Sequence, residues 1–361
     1  MKKYCIENIY MKYRGNIRLY LGIMLLSPVM MMMFFASCKR RLLEEDEIFP
    51  AALIQVNIDW SATGINIPSE VHKVSIRFFP KDGVSPVFDC YLESNPRAGE
   101  ILVPAGEYSV IVFNEAVQDA LWNNRVVFTE TESYSNFAAN AVLLSNAARQ
   151  QFPYQPQPGE RFIVEPLQLA SWKLDDFEVT NNMILVTQGH RPATSLSVAE
   201  NNMLNALKQV TMRPLTRPVT ITAEVENLIS ADTIYLAMQG LASKVNMATG
   251  NTTNDPSTFL LFLNGRQYAN NQRDGTARKT FFCFARTPQP ESYYIAADIK
   301  LRSGIIYQPT PRLFNRTQEF IDEFESNLLI NLKIDFSLPF IEGGVAVDDW
   351  GDDEYHTVIE Y

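Results

Sequence analysis

The sequence predicts an all-β protein: a leader and short tether, then two tandem antiparallel β-sandwich domains over residues 51–204 and 205–361. Three observations predict it. Apolar residues recur at every second position in run after run, and in a strand that spacing turns one face to a core. Pro/Gly turns punctuate the runs at short intervals, which favours a sandwich over a βαβ sheet. One stretch, residues 198–209 (VAENNMLNALKQ), allows a short helix before the strand pattern returns.

The first run sets Ile54, Val56, Ile58 and Trp60 against Gln55, Asn57 and Asp59. Val74, Ile76 and Phe78 repeat it against Ser75 and Arg77, and Phe79-Pro80 closes that strand. Phe88, Cys90 and Leu92 alternate next; Ile101 and Val103 then run into the turn Pro104-Ala105-Gly106-Glu107, and Tyr108, Val110 and Val112 run out of it. Residues 114–160, rich in Asn and in Pro153, Pro156 and Pro158, read as long loops, followed by a short strand at 161–167. Beyond the boundary near residue 204, Val219, Ile221, Ala223 and Val225 alternate with Thr220, Thr222 and Glu224. Residues 258–263, 280–285, 292–301 and 328–336 read as further strands, with Asn264-Gly265 and Asp274-Gly275 as tight-turn dipeptides.

The leader, residues 1–37, has a basic start in Lys2, Lys3, Lys12, Arg14 and Arg18, opposed by Glu7 alone. Residues 19–36 are apolar almost throughout, interrupted by Pro28, as a secretory signal's central region is. Met11 would begin an equally good leader. The segment ends Phe35-Ala36-Ser37-Cys38, which resembles the lipobox of bacterial lipoproteins, with Phe35 where Leu is commoner. That resemblance implies cleavage before Cys38, lipidation of Cys38 with fatty acid (palmitate), and a chain held on the outer membrane at the cell surface. The alternative is an ordinary signal peptide ending at a chance cysteine. Residues 38–50 then form a charged tether, too short to bury a core.

The whole chain carries 41 acidic and 31 basic residues. The leader takes one acidic and five basic, leaving 40 against 26 and a formal charge of −14. So acidic a chain is a poor electrostatic partner for nucleic acid or anionic headgroups. Of the four cysteines, Cys5 and Cys38 fall in or beside the leader. Cys90 and Cys283 lie on apolar strands and read as buried thiols, with no disulfide framework; a bridge between the two domains is the alternative. His72, His190 and His356 are too scattered to space like a metal site.

Several stretches together resemble the fimbrillin-like and fimbrial anchor lipoproteins of the Bacteroidetes. They are the lipobox, the first strand ending in Trp60, Pro104-Ala105-Gly106-Glu107-Tyr108 running into Val112-Phe113-Asn114, and Glu165-Pro166-Leu167. In the second half they are 208–215 (KQVTMRPL), Gln239-Gly240-Leu241, and Gly343-Gly344-Val345 with Val347 and Trp350. The resemblance implies two transthyretin-like sandwiches and a protein that joins fimbrial subunits by strand addition, one subunit's extended segment completing the sheet of another. It also implies adhesion rather than catalysis. Lys39, Arg40 and Arg41 offer trypsin-like cuts that would remove only the tether, and the next basic residue, Lys73, lies past the first strand. That favours an anchor or minor subunit over a polymerising stalk.

No residue pattern asks for a cofactor or an enzyme. There is no phosphate-cradling glycine loop, no Gly-x-Ser-x-Gly elbow, and Asp175-Asp176 and Asp348-Asp349 are ordinary in an acidic chain. The acidic loop around Trp350 carries enough oxygens for Ca²⁺ without the spacing of a calcium loop. Tyr134 and Tyr293-Tyr294 are the aromatic residues that a glycan-binding alternative, a nutrient-uptake lipoprotein, would use.

Overall fold

A computed structural model describes residues 51–65, 73–114, 125–284, 293–309, 312–316 and 328–334. Cys38, the tether and the acidic loop at 348–354 lie outside them. The chain divides into two units. The first takes residues up to 117, 132–134 and 170–213; the second takes 118–131, 135–169 and everything from 214.

In the first unit, β1 (Ala51–Asp59), β2 (Val74–Pro80), β3 (Phe88–Leu92), β4 (Ala98–Pro104) and β5 (Gly106–Asn114) follow the predicted runs closely. β9 (Ala170–Val179), β10 (Val210–Thr211) and β11 (Arg213–Pro214) complete two sheets, ordered β11-β9-β5-β2-β3 and β10-β1-β4. Ile54, Val56, Ile58 and Trp60 are all buried, in one apolar cluster with Ile76, Phe78, Val110 and Val112. Phe78 stacks on Phe88 at 5.0 Å and meets Tyr108 edge-on at 5.6 Å. Trp60 sinks its ring and still satisfies its indole N–H, which donates to the Pro96 carbonyl at 3.0 Å. The other face of β2 and β5 is covered too: Ser75, Arg77, Ile111 and Phe113 are buried. Arg77 is tolerable there because its guanidinium grips Asp89 with two bonds, 2.8 and 2.7 Å.

The turn between β4 and β5 shows why a glycine stands at 106. Its φ is +156°, and a Cβ there would sit 2.8 Å from the Tyr108 hydroxyl. That hydroxyl donates back to the carbonyls of Pro104 and Ala105, at 3.1 and 3.3 Å, and pins the corner. Burial pushes the Tyr108 phenol up to about 12.

Two helices follow β9: α2 (Asn181–Thr187) and α3 (Val198–Ala206). The second falls inside the stretch expected to be helical. The first, NNMILVT, is β-branched and short and gives no 3.6-residue period to read. Glu200 ties the pair together. It accepts from the Thr180 hydroxyl (2.6 Å), the Ser197 amide (2.8 Å) and the Asn182 side chain (3.1 Å). Those bonds, Thr180's first, hold its carboxyl at about 2, below its ordinary 4.5. A depressed carboxylate contributes stability above its unfolded value and loses it as pH falls through the folded one. Amides of residues 181–206 are therefore expected to lose protection between about pH 4.5 and 2, and Glu200→Gln to remove that pH dependence in hydrogen exchange.

The second unit holds β6 (Val126–Thr129), β7 (Ala138–Ala141), α1 (Asn146–Arg149) and β8 (Phe162–Ile163). It continues with β12 (Thr216–Val225), β13 (Ala231–Ala242), β14 (Lys244–Asn246), β15 (Pro256–Leu263), β16 (Gly265–Tyr268) and β17 (Gly275–Phe284). β18 (Tyr294–Leu301), β19 (Ile306–Tyr307), β20 (Leu313–Asn315) and β21 (Leu328–Ile334) end it. One sheet runs β16-β17-β12-β21; another runs β19-β18-β13-β15-β8, with β20 also on β18; a small one runs β14-β7-β6. Val219, Ile221 and Val225 are buried, and Phe259 of β15 meets Phe281 of β17 at 5.6 Å between the two larger sheets.

Two expectations change. The boundary expected near residue 204 falls at 213/214, and residues 125–131 and 135–169 belong with the second unit, not the first. Backbone pairing decides this: β7 registers Asn140 against Lys244, and β8 lies parallel to β15, Phe162 against Thr258. The sandwiches are also not wholly antiparallel. β10 runs parallel to β1, β21 to β12, and β8 to β15.

Candidate functional site

The chemistry-bearing residues singled out by the sequence are dispersed or engaged. Among the described residues no three His, Cys, Asp or Glu gather to hold a metal. His190 is exposed on the loop after α2. Asp175 accepts from the Tyr134 hydroxyl and from Lys173 (2.9 Å), and Asp176 pairs with Lys81, so the two carboxylates are occupied separately. Cys283 is a buried free thiol, pushed upward by burial. Cys90 is disulfide-bonded, with its partner outside the described residues, which corrects the thiol expected there.

The tyrosines of the glycan alternative do not form a platform. Tyr293 is buried, and Tyr134 is half-buried against Phe79 at 5.5 Å, its phenol raised by burial and by Asp175. The exposed rings lie elsewhere: Phe262, half exposed, beside Tyr235 across the strand pair and near Phe152, whose ring is 5.5 Å from Tyr235. Alternation hid them, because the face of β13 and β15 opposite the inter-sheet core is itself covered in part by the 144–163 segment. Glu160 fixes that segment, accepting from Thr258 (2.5 Å), Tyr154 (3.2 Å) and the Gln157 amide (2.8 Å).

An open cleft of about 570 Å³ lies at one end of β2, β5 and β9, lined by Lys81, Asp82, Glu107, Tyr108, Glu178 and Thr180. Its Asp82 is occupied by the turn that follows, accepting from the amides of Val84 (3.0 Å) and Ser85 (2.9 Å). The Lys81 amide donates to the Glu107 carbonyl at 2.9 Å. The cleft is braced by its own main chain.

What the fold does present is strand edge. In the second unit β16 and β21 border one sheet; β16 has three of its four residues exposed. β21 turns Leu332 and Ile334 inward and leaves Lys333 out, paired to Glu226 at 3.9 Å. In the first unit β3 borders the larger sheet, while the smaller sheet, only three strands wide, is bordered by β4 and the two-residue β10. Such edges expose main-chain N–H and C=O groups, a template for another strand.

Strand layers in two units, with open strand edges at their borders, define the class: an all-β protein. The chain belongs to the family described as a domain of unknown function (DUF5119), whose model matches residues 37–262. It is 29% identical over 116 residues to Fim4B of Bacteroides ovatus, described as a candidate fimbrium anchoring subunit. The match spans about a third of that relative's length, 32% of each chain. Among solved structures, a candidate adhesin from Bacteroides ovatus aligns over 88% of this chain and 95% of its own, at 15% identity and a TM-score of 0.49. The fimbrial anchor protein Mfa2 from Porphyromonas gingivalis aligns over 79% and 90%, at 12% identity and a TM-score of 0.39.

Proposed function

We propose that this chain is a non-enzymatic surface lipoprotein, lipidated at Cys38, that serves as a fimbrial anchor or minor subunit and binds fimbrial subunits by strand addition. The observation that carries the reading is the identity to a fimbrium anchoring subunit. A sheet only three strands wide in the first unit supports the mechanism, since its border can take a strand. Main-chain hydrogen bonds would supply the affinity, and apolar side chains at alternate positions would fill pockets. Lipid at Cys38 would pass the load to the outer membrane over a tether of residues 38–50.

A deletion strain tests this. It is expected to shed its fimbriae, or to make them with altered length, while growth on polysaccharides is unchanged. Firmly attached, normal fimbriae together with lost growth on one polysaccharide would replace the reading with the glycan-binding alternative.

A further inference from the structure

Strand β1 has two edges of different character. The Ile58 amide donates toward β4, to the Arg97 carbonyl at 2.7 Å, so the even-numbered residues of β1 aim their main chain at β4 and the odd-numbered ones outward. On the outward side β10 pairs with Ile58 and Asp59 only, and the Met212 amide completes that stretch on the Asp59 carbonyl at 2.9 Å. From residue 51 to 57, β1 has no strand neighbour there among the described residues. Side chains stand in for one. The Leu53 amide donates to the Thr187 hydroxyl, and the Gln188 side-chain amide donates to the Ala51 carbonyl, both at 3.2 Å. Residues 51 and 53 present these groups at the two-residue spacing by which a strand binds a strand.

Both clamps come from the C-terminal end of α2. The helix is footed in the core by Met183 and Ile184, with Leu207 buried just past α3 and Leu204 packed against the same cluster. The apolar seat is therefore made by the helices, and the hydrogen bonds by which α2 covers the main-chain edge of β1 are two neutral ones. We infer that the outer edge of β1, residues 51–57, is the docking edge for an extended segment of a partner subunit, and that the α2–α3 segment guards it until the partner arrives. This rests on the strand-addition reading and specifies its place. The occupant is a polypeptide in extended form, because only a backbone repeats donor and acceptor with this period. β10 already pairs with the continuation of the same edge. The guard also explains how an edge strand avoids promiscuous pairing before assembly.

The test uses the full chain and a peptide with the sequence of Leu328–Ile334 flanked by lysines, chosen for its alternating apolar residues, with a scrambled peptide as control. Thr187→Val with Gln188→Leu removes both clamps and leaves the buried footing. That variant is expected to bind the peptide at least ten-fold tighter than the parent, with new hydrogen-exchange protection over residues 51–57. Gln55→Pro, which removes an outward N–H and none that faces β4, is expected to abolish that binding. Should the double variant not fold, Gln188→Leu alone carries the comparison. Equal affinity in variant and parent, or protection that falls on β16 or β21, overturns the β1 assignment while strand addition stands. Protection at no edge, together with intact fimbriae in the deletion strain, overturns both.

Discussion

Truncating Arg77 to alanine is expected to destabilise the first unit by about 3–5 kcal/mol, the range for leaving one member of a buried ion pair alone. The Arg77 and Asp89 side chains are only 9% and 12% exposed, and their two bonds are short and parallel. Removing the guanidinium strands the Asp89 carboxylate on a covered face among Ser75, Ile111 and Phe113. The pair itself is not the source of that much net stability, since both charges are desolvated to make it. Arg77→Met with Asp89→Leu should therefore recover most of the loss. Denaturant midpoints of the three proteins check this. A single variant within about 1 kcal/mol of the parent would show that water reaches the carboxylate.

Cys38→Ala is expected to move the protein from the membrane fraction into the soluble one almost completely. Fatty acid on Cys38 would bury methylene groups at about 0.8 kcal/mol each, whereas the acidic remainder has no electrostatic attraction for anionic headgroups. Mass spectrometry of the mature N-terminus supplies the direct reading. Processing also has a countable effect elsewhere. If leader cleavage removes Cys5 and acylation consumes the Cys38 thiol, the mature chain, denatured and fully reduced to open the Cys90 disulfide, is expected to titrate two thiols, Cys90 and Cys283. Three thiols, or an unmodified N-terminus with membrane retention intact, overturns the lipid anchor.

Period-two alternation was enough to read β1, β2, β3, β5 and β12, because each has one face in a core and that face carries the apolar residues. It could not place β6, β7 and β8. Those strands are two to four residues long, so no period repeats within them, and what decides their unit is pairing with β14 and β15 a hundred residues away. Asn264-Gly265 looked like a hairpin turn and is a crossing, since β15 and β16 belong to different sheets. Asp274-Gly275 does end a hairpin, though a longer one, with the Asn271 side chain accepting from the amides of Arg273 and Asp274 at 3.0 Å. The Thr187 and Gln188 clamps left no trace at all. They depend on a helix too short to show its own period, meeting a strand more than 130 residues earlier.

The assignment of residues 118–131 and 135–169 to the second unit has a mechanical consequence. The chain leaves the first unit, returns briefly at 132–134, leaves again, comes back at 170 and departs finally at 213/214. Neither unit is a bead that a single linker joins to the next. A pull applied near residue 51 and resisted in the second unit is shared among several covalent crossings. Stretching one of them first tugs on β-ladders whose partners are anchored through the others. Such stitching means that no single cut between the units would release one intact from the other.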